Sequence, residues 1–471
     1  MSTETEPLQV LLDRRLRSSG DFYRTGATRS FEFRRRRLLA LKEAIRLREG
    51  ELIEALRADL GKSPFESYTA EIGFVYEEIK FTLKRLRSWM KETRVSTPMV
   101  HFPSKSKIIP QPLGTVLILA PWNYPFQLLI APLIGAIAAG CTAILKPSEN
   151  APATSSVLRE LVAATFSPEY VDLVEGDGEV ASALVFMPFD KIFFTGSTAL
   201  GKKVMAAAAD HLTPVVLELG GKSPTVVHKD ANLEVAAKRI AWGKYMNAGQ
   251  TCVAPDFVYV HESVIEEFTG KLRGAVERFF SEEPKSSPDY GRIINDRHFQ
   301  RLSRIMEESV AHAESRLLFG GEQEPEERFI APTAVRLPGW DSAAMEEEIF
   351  GPLLPLISYA GLDEVVEKLR RQPDPLAFYL FTESKSVKKK LLTTLSFGGA
   401  SVNETVLHLV NPKLPFGGVG SSGMGKYHGK ASFDAFTHYK GVLDHGTWLD
   451  IPLKYPPYTD KLLAMVRRIM G

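Results

Sequence analysis

Between Gly114 and Gly220 short apolar runs alternate with longer helical stretches, and no other pattern limits the fold of this chain so tightly. "GTVLILAP" (114–121) reads as a strand, "FQLLIAPLIGAIAAG" (126–140) is long enough for a helix, and "TAILKP" (142–147) is a strand again. "YVDLVEG" (170–176), "KIFFTG" (191–196) and "PVVLELG" (214–220) continue the series. Buried strands joined through helices need a parallel sheet covered on both faces. The expected class is α/β, with a doubly wound, Rossmann-like domain that binds its ligand beyond the carboxyl ends of the strands. From Lys222 the pattern restarts, with "PTVVH" and "DFVYVH" as strands and 231–247 and 262–280 as helices. That predicts a second α/β domain.

The remaining segments frame these two. The first hundred residues read as helices rich in Leu, Glu, Arg and Lys. "VSTPMVHFPSKSKIIPQP" (95–112) reads as two short extended runs and "FTHYKGVLD" (436–444) as a strand, which together make a small β arm. The expected division is a dinucleotide-binding domain at 1–94 and 113–219, a catalytic domain at 220–410, the arm at 95–112 and 432–447, and a tail helix within 448–471. The acidic stretch "FGGEQEPEERFIAP" (319–332) reads as a surface loop.

Charge excludes some functions. Lys and Arg number 58 against 57 Asp and Glu, a net charge of +1 that gives no reason to expect nucleic acid. The run Arg34–Arg37 opens a helical pattern in which Leu38, Leu41, Ile45, Leu52 and Leu56 share one face, so it reads as a solvated basic edge. Two cysteines make neither a disulfide framework nor a metal site, and the ten histidines show no ligand spacing. No metal is expected. No basic-then-apolar leader and no long apolar run is present, so the expectation is a cytoplasmic protein without a membrane span.

Cys141, in "AIAAGCTAIL", has the apolar surroundings of a structural cysteine. Cys252, in "AGQTCVAP", has small and polar neighbours and reads as presented to a ligand. A thiolate nucleophile needs donors for the oxyanion it generates and a base to release product. Asn123 in "PWNYP" and Glu218 in "LELGGK" stand at strand ends, where such groups belong. Two glycine patterns compete for a dinucleotide phosphate. Gly176–Ala181 puts Asp177 and Glu179 where the phosphate would lie, and reads as a tight turn. Gly196–Gly201 follows a strand, opens a helix and offers Ser197 with free N-terminal amides, which suits an anion.

The stretches "PWNYPFQLLIAPLIGAIAAGCTAILKPSE", "FFTGST", "LELGGKSP", "GQTCVAPDFV", "EEEIFGP" and "LPFGGVGSSGMGKYHG" occur in that order. They resemble the motifs of the NAD(P)-dependent aldehyde dehydrogenase superfamily, in its class 3 branch of fatty and aromatic aldehyde dehydrogenases. The resemblance implies oxidation of aldehydes to carboxylic acids through a cysteine thiohemiacetal and thioester. It implies Cys252 as nucleophile, Asn123 as oxyanion donor and Glu218 as base. It assigns the cofactor to Lys146, Glu149, Gly196, Ser197, Gly201, Leu219, Glu348 and Phe350, and the substrate to Tyr68, Tyr124, Thr251 and His428. Glu149 beside the adenosine ribose favours NAD; members with this glutamate also accept NADP. The arm implies a homodimer, since its edges need covering.

Other functions remain open on these residues. A silent structural member of the fold is opposed by the intact set Cys252, Glu218 and Asn123, and an acyl-CoA reductase by Glu218. A Cys–His hydrolase needs no dinucleotide domain. The last segment, "YTDKLLAMVRRIMG" (458–471), carries Leu462, Leu463, Met465, Val466, Ile469 and Met470 on one face and Lys461, Arg467 and Arg468 on the other. Such an amphipathic helix docks on its own protein, lies peripherally on a membrane surface, or covers a substrate tunnel as in the similar fatty aldehyde dehydrogenases.

Overall fold

The computed structural model describes residues 7–450 and 452–470. The leader expectation for residues 1–6, and the side chains of Ile469 and Met470 on the tail helix, lie outside the described residues. Two compact units are present. One runs through Trp89 and resumes over Pro112–Thr437; the other is Met90–Gln111 with the chain from His438 onward.

The first unit holds two parallel sheets. In the first, the strand order is Gly423–Met424, Val215–Glu218, Lys191–Thr195, Thr115–Leu119, Thr142–Lys146, Val171–Leu173. The chain enters in the middle, adds two strands to one side, then crosses to the other. That reversal puts a switch point between Thr115–Leu119 and Lys191–Thr195, where a crevice opens at the strand ends. Both faces are covered, which is why these strands are apolar throughout: Leu117, Ile192 and Leu217 pack with Leu184, Val204 and Ala207. The helix Gln127–Ala139 is buried along its whole length. The antiparallel edge Gly423–Met424 arrives from far along the chain, and nothing in its two residues announced a strand.

The second sheet has the order Arg316–Phe319, Thr333–Leu337, Leu353–Tyr359, Phe257–His261, Pro224–Val227, Ala377–Phe381, Gly399–Val402, parallel except at the first pair. The acidic stretch expected as a loop contains a short hairpin, Gln323–Glu324 with Phe329–Ile330, because Phe329 and Ile330 are buried. Arg34 is a second correction. It is 5% exposed rather than solvated, and it donates to Thr28 O and Ala138 O at 2.9 Å each, closing the carboxyl end of the buried helix. Burial lowers its pKa to about 10. Its neighbours Arg35 and Arg36 are exposed as the pattern predicts.

The small antiparallel sheet consists of Thr93–Val95, Lys105–Pro112 and Thr437–Asp444. Its last strand starts later than position 432, because Lys430–Ala435 is a helix packed on Gln127–Ala139. The tail helix Asp460–Met470 has Leu463 and Met465 exposed and Leu462 and Val466 partly covered. No helix among the described residues is long and apolar enough to cross a membrane.

Candidate active site

Three loops at the carboxyl ends of the first sheet converge on Cys252. They carry Pro121–Asn123 after Thr115–Leu119, Gly196–Ser197 after Lys191–Thr195, and Leu219–Gly220 after Val215–Glu218. With Cys252, Glu348 and Phe350 they wall a cavity of about 390 Å³. A second cavity, of about 260 Å³, is walled by Tyr124, Thr251 and His428 with a largely apolar set that includes Phe74, Trp242 and Phe416. Cys252, Glu218 and Leu219 belong to both walls. Cys252 therefore stands where a cavity with polar and charged groups in its wall meets a more apolar one.

The backbone leading to Cys252 is held in an unusual conformation. Asn247, Ala248 and Gly249 are consecutively left-handed, with φ of 53°, 49° and 76°. Only glycine adopts this region freely, and each other residue costs about 1–3 kcal/mol. Hydrogen bonds offset that cost: Gln250 donates to Asn247 O and Arg292 O and accepts from Ile294 N. Beyond it, Tyr124 Oη and Thr251 Oγ1 lie 2.7 Å apart and Tyr379 Oη donates to Val253 O. The small residues before Cys252 answer to packing: Ala248 is buried, and a Cβ on Gly249 would overlap the Gly351 carbonyl. Neither lines these two cavities, whereas Thr251 and Val253 line the apolar one. Gly249→Ala should lower the thermal unfolding midpoint by several degrees, from a strain of about 2–3 kcal/mol. A midpoint within one degree of the parent in a melting experiment would contradict this account.

Burial, with the nearby carboxyls of Glu348 and Glu218, pushes the Cys252 thiol up to about 12, while the amides of Cys252 and Val253 favour the thiolate. Glu218 is 3% exposed and neither carboxyl oxygen has a hydrogen-bond partner, so burial holds its pKa well above the usual carboxylate range. Asn123 donates one amide hydrogen to Gln250 O at 3.0 Å, which leaves the second free. Burial and the Asp256 charge push Glu348 up to about 8. Gly220 admits its carboxyl, because a Cβ there would overlap it.

An NAD(P) molecule fits this donor set. The polar cavity reaches the N-terminus of helix Thr198–Ala209, whose first N–H groups lack intrahelical acceptors and suit a phosphate. Ser197 caps that helix, accepting from Leu200 N. The competing glycine turn has spent its donors, since Asp177 already accepts from Glu179 N and Val180 N. Gly201 has a packing role instead, because a Cβ there would strike Leu219.

Some expected residues stand apart. Tyr68 is 43% exposed and outside the apolar wall; Thr69 and Ala70 of the same turn, and Phe74 of the helix after it, line that wall instead. Lys146 and Glu149 are outside both walls and pair with each other at 3.2 Å. His428 is buried with Nδ1 at 3.0 Å from Leu409 O, and burial holds its pKa near 3, so Nδ1 carries the proton and donates. Sequence reasoning missed Trp122, His298 and Arg301 in the polar wall. Trp122 lies within "PWNYP" and could have been found there. His298 and Arg301 sit on the helix Asp296–Ala311, where nothing marks them. Arg301 holds the Glu347–Ile349 backbone, donating to Glu348 O and Ile349 O.

A model of the aldehyde dehydrogenase family matches residues 12–442. The 4,4'-diaponeurosporen-aldehyde dehydrogenase of Staphylococcus aureus is 46% identical over 451 residues, 96% of this chain and 97% of that protein. Aldehyde dehydrogenase family 3 member H1 of Arabidopsis thaliana is 44% identical, covering 94% of this chain and 92% of its own. A Rattus norvegicus aldehyde dehydrogenase described as dimeric and NADP-preferring is 44% identical, covering 89% and 92%. A solved substrate-bound state of Staphylococcus aureus AldH superposes with a TM-score of 0.95 at 45% identity, covering 98% of this chain and 99% of that one.

Proposed function

The chain belongs to the aldehyde dehydrogenase family and is an NAD(P)-dependent enzyme that oxidises aldehydes, and from this we propose how its residues divide the reaction. One observation carries the reading: Cys252 is common to a cavity that holds a helix N-terminus and charged groups in its wall and to a more apolar one. Such a sulfur meets an aldehyde from one side while a hydride acceptor occupies the other.

Cys252 Sγ loses its proton and bonds to the carbonyl carbon. Solvent takes that proton, so that a thiolate attacks, and Glu218, unpaired and in both walls, stays available for the later hydrolysis. The carbonyl oxygen becomes an oxyanion held by the free Asn123 amide hydrogen and the Cys252 N–H. When bound, NAD(P)+ supplies the acceptor for the hydride leaving that carbon. What remains on Cys252 is a thioester. Glu218 takes a proton from water as its oxygen bonds to the acyl carbon, the C–S bond breaks, and the carboxylic acid departs. Glu348, and Arg301 through the backbone it holds, shape the polar cavity.

The apolar wall favours medium- to long-chain aliphatic or aromatic aldehydes, and the Staphylococcus relative named for an apolar aldehyde supports this. Each buried methylene is worth roughly 0.8 kcal/mol. kcat/KM should therefore rise about tenfold or more between a two-carbon and a six-carbon aldehyde, measured with NAD and with NADP. A flat chain-length profile would remove this assignment. NAD is the proposed preference, on the reading that the adenosine ribose extends past the cavity wall to Glu149, whose carboxylate repels a 2′-phosphate.

The proposed assembly is a homodimer. The three-stranded sheet ends in edges, and its unit exposes Met99, Phe102, Leu443 and Trp448. Light scattering at micromolar concentration should give the mass of two chains. A one-chain mass would count against it.

A further inference from the structure

A buried ion pair far from Cys252 in sequence reaches the oxyanion donor through the backbone. Lys62 and Glu71 are both fully buried, with Nζ 2.5 Å from Oε1. Lys62 also donates to the backbone carbonyl of Asn123 at 2.9 Å, and its ammonium lies 4.0 Å from the centre of the Tyr124 ring. The other Glu71 oxygen accepts from Phe126 N at 2.9 Å and Gln127 N at 3.1 Å, at the start of the buried helix. Asn247 Nδ2 donates to the same Asn123 carbonyl at 2.9 Å. That carbonyl thus has both acceptor sites filled, which fixes the Asn123 backbone and the direction of its side chain. Glu71 itself lies in a single π-helical turn, Tyr68–Ile72, an irregularity frequent at functional sites.

Stability does not account for this pair. Replacing a buried ion pair by packed apolar residues is often neutral or stabilising. What the pair supplies here is position. It ties the segment before the buried helix at Asn123 and at Phe126–Gln127, and that segment carries the amide proposed to face the reacting carbonyl.

We propose that Lys62 and Glu71 are positioning residues for the oxyanion donor Asn123, a reading that rests on the role proposed for Asn123. A pair that acts only through Asn123 has no effect once the Asn123 amide is gone, whereas a merely structural pair keeps its effect. A double-mutant cycle separates the two cases.

The experiment compares the parent, Lys62→Met/Glu71→Gln, Asn123→Ala and the triple variant, in single-turnover NADH formation from a six-carbon aldehyde. Thermal midpoints and NAD binding serve as controls. Asn123→Ala should slow hydride transfer by about 100-fold. The ion-pair variant should slow it at least tenfold with the aldehyde KM within threefold, and in the Asn123→Ala background the same change should cost less than twofold. An equal cost in both backgrounds, or an ion-pair variant as fast as the parent, overturns the proposal while leaving the Asn123 role intact. Unchanged hydride transfer in Asn123→Ala overturns both. Should the ion-pair variant fail to fold, Glu71→Gln alone keeps the acceptor for the helix N–H groups. It should show a smaller loss that likewise disappears with Asn123→Ala; a loss that persists there overturns the proposal.

Discussion

Cys252→Ser should lower aldehyde oxidation about a thousandfold or more while NAD binding and the thermal midpoint stay near the parent's. The argument is chemical before it is geometric. Even the thiol, whose proton is held up to about 12 by burial and two neighbouring carboxyls, needs a base and oxyanion donors to attack. A hydroxyl in that place begins from a far higher pKa and is a weaker nucleophile. Its alkoxide would gain nothing from the Cys252 and Val253 amides that the sulfur does not already have. Packing should tolerate the exchange, since the side chain borders two cavities rather than a filled core. Steady-state NADH production is the measurement. A rate within threefold of the parent would disqualify Cys252 as the nucleophile.

Glu218→Gln should separate the two halves of the reaction. Hydride transfer precedes hydrolysis, so the variant should give a burst of about one NADH per site and then turn over about 100-fold more slowly than the parent. The pH dependence carries a sign. Burial raises the Glu218 pKa, so the carboxylate forms at higher pH than an ordinary carboxyl's would, and hydrolysis in the parent should speed up as pH rises. In Glu218→Gln that rise in turnover should vanish. The burst rate should keep its own rise, because the raised Cys252 thiol still titrates. Full turnover with the parent pH profile would take Glu218 out of the mechanism.

Alternation of short apolar runs with helices was enough to read two parallel sheets, because period and length report which backbone is buried on both faces. The ends of those strands also pointed to Asn123, Ser197 and Glu218, since ligand sites follow from where parallel strands stop, while Cys252 stood out by its small and polar neighbours. The choice between the two glycine turns could be argued in advance from charge, and the structure shows the side chain of Asp177 capping its own helix at Glu179 N and Val180 N.

What period and motif do not carry is a partner from elsewhere in the chain. Arg34 looked like one more basic residue on a solvated edge until the carbonyl of Ala138, 104 positions away, appeared beside it. Tyr68 and Phe74 are both aromatic residues in neighbouring turns, yet only Phe74 lines the apolar cavity. Tyr68 opens the π-helical turn Tyr68–Ile72 and Phe74 follows it, and no side-chain pattern announces that turn. The small residues before Cys252 suggested room for ligands, whereas left-handed backbone and the nearby Gly351 carbonyl decide them. Lys62 and Glu71 gave no local sign at all. Their meaning lies in hydrogen bonds to Asn123, Phe126 and Gln127 across 55 to 61 positions. Burial of charge is legible only when its compensating groups are known, and tertiary packing alone brings those groups together.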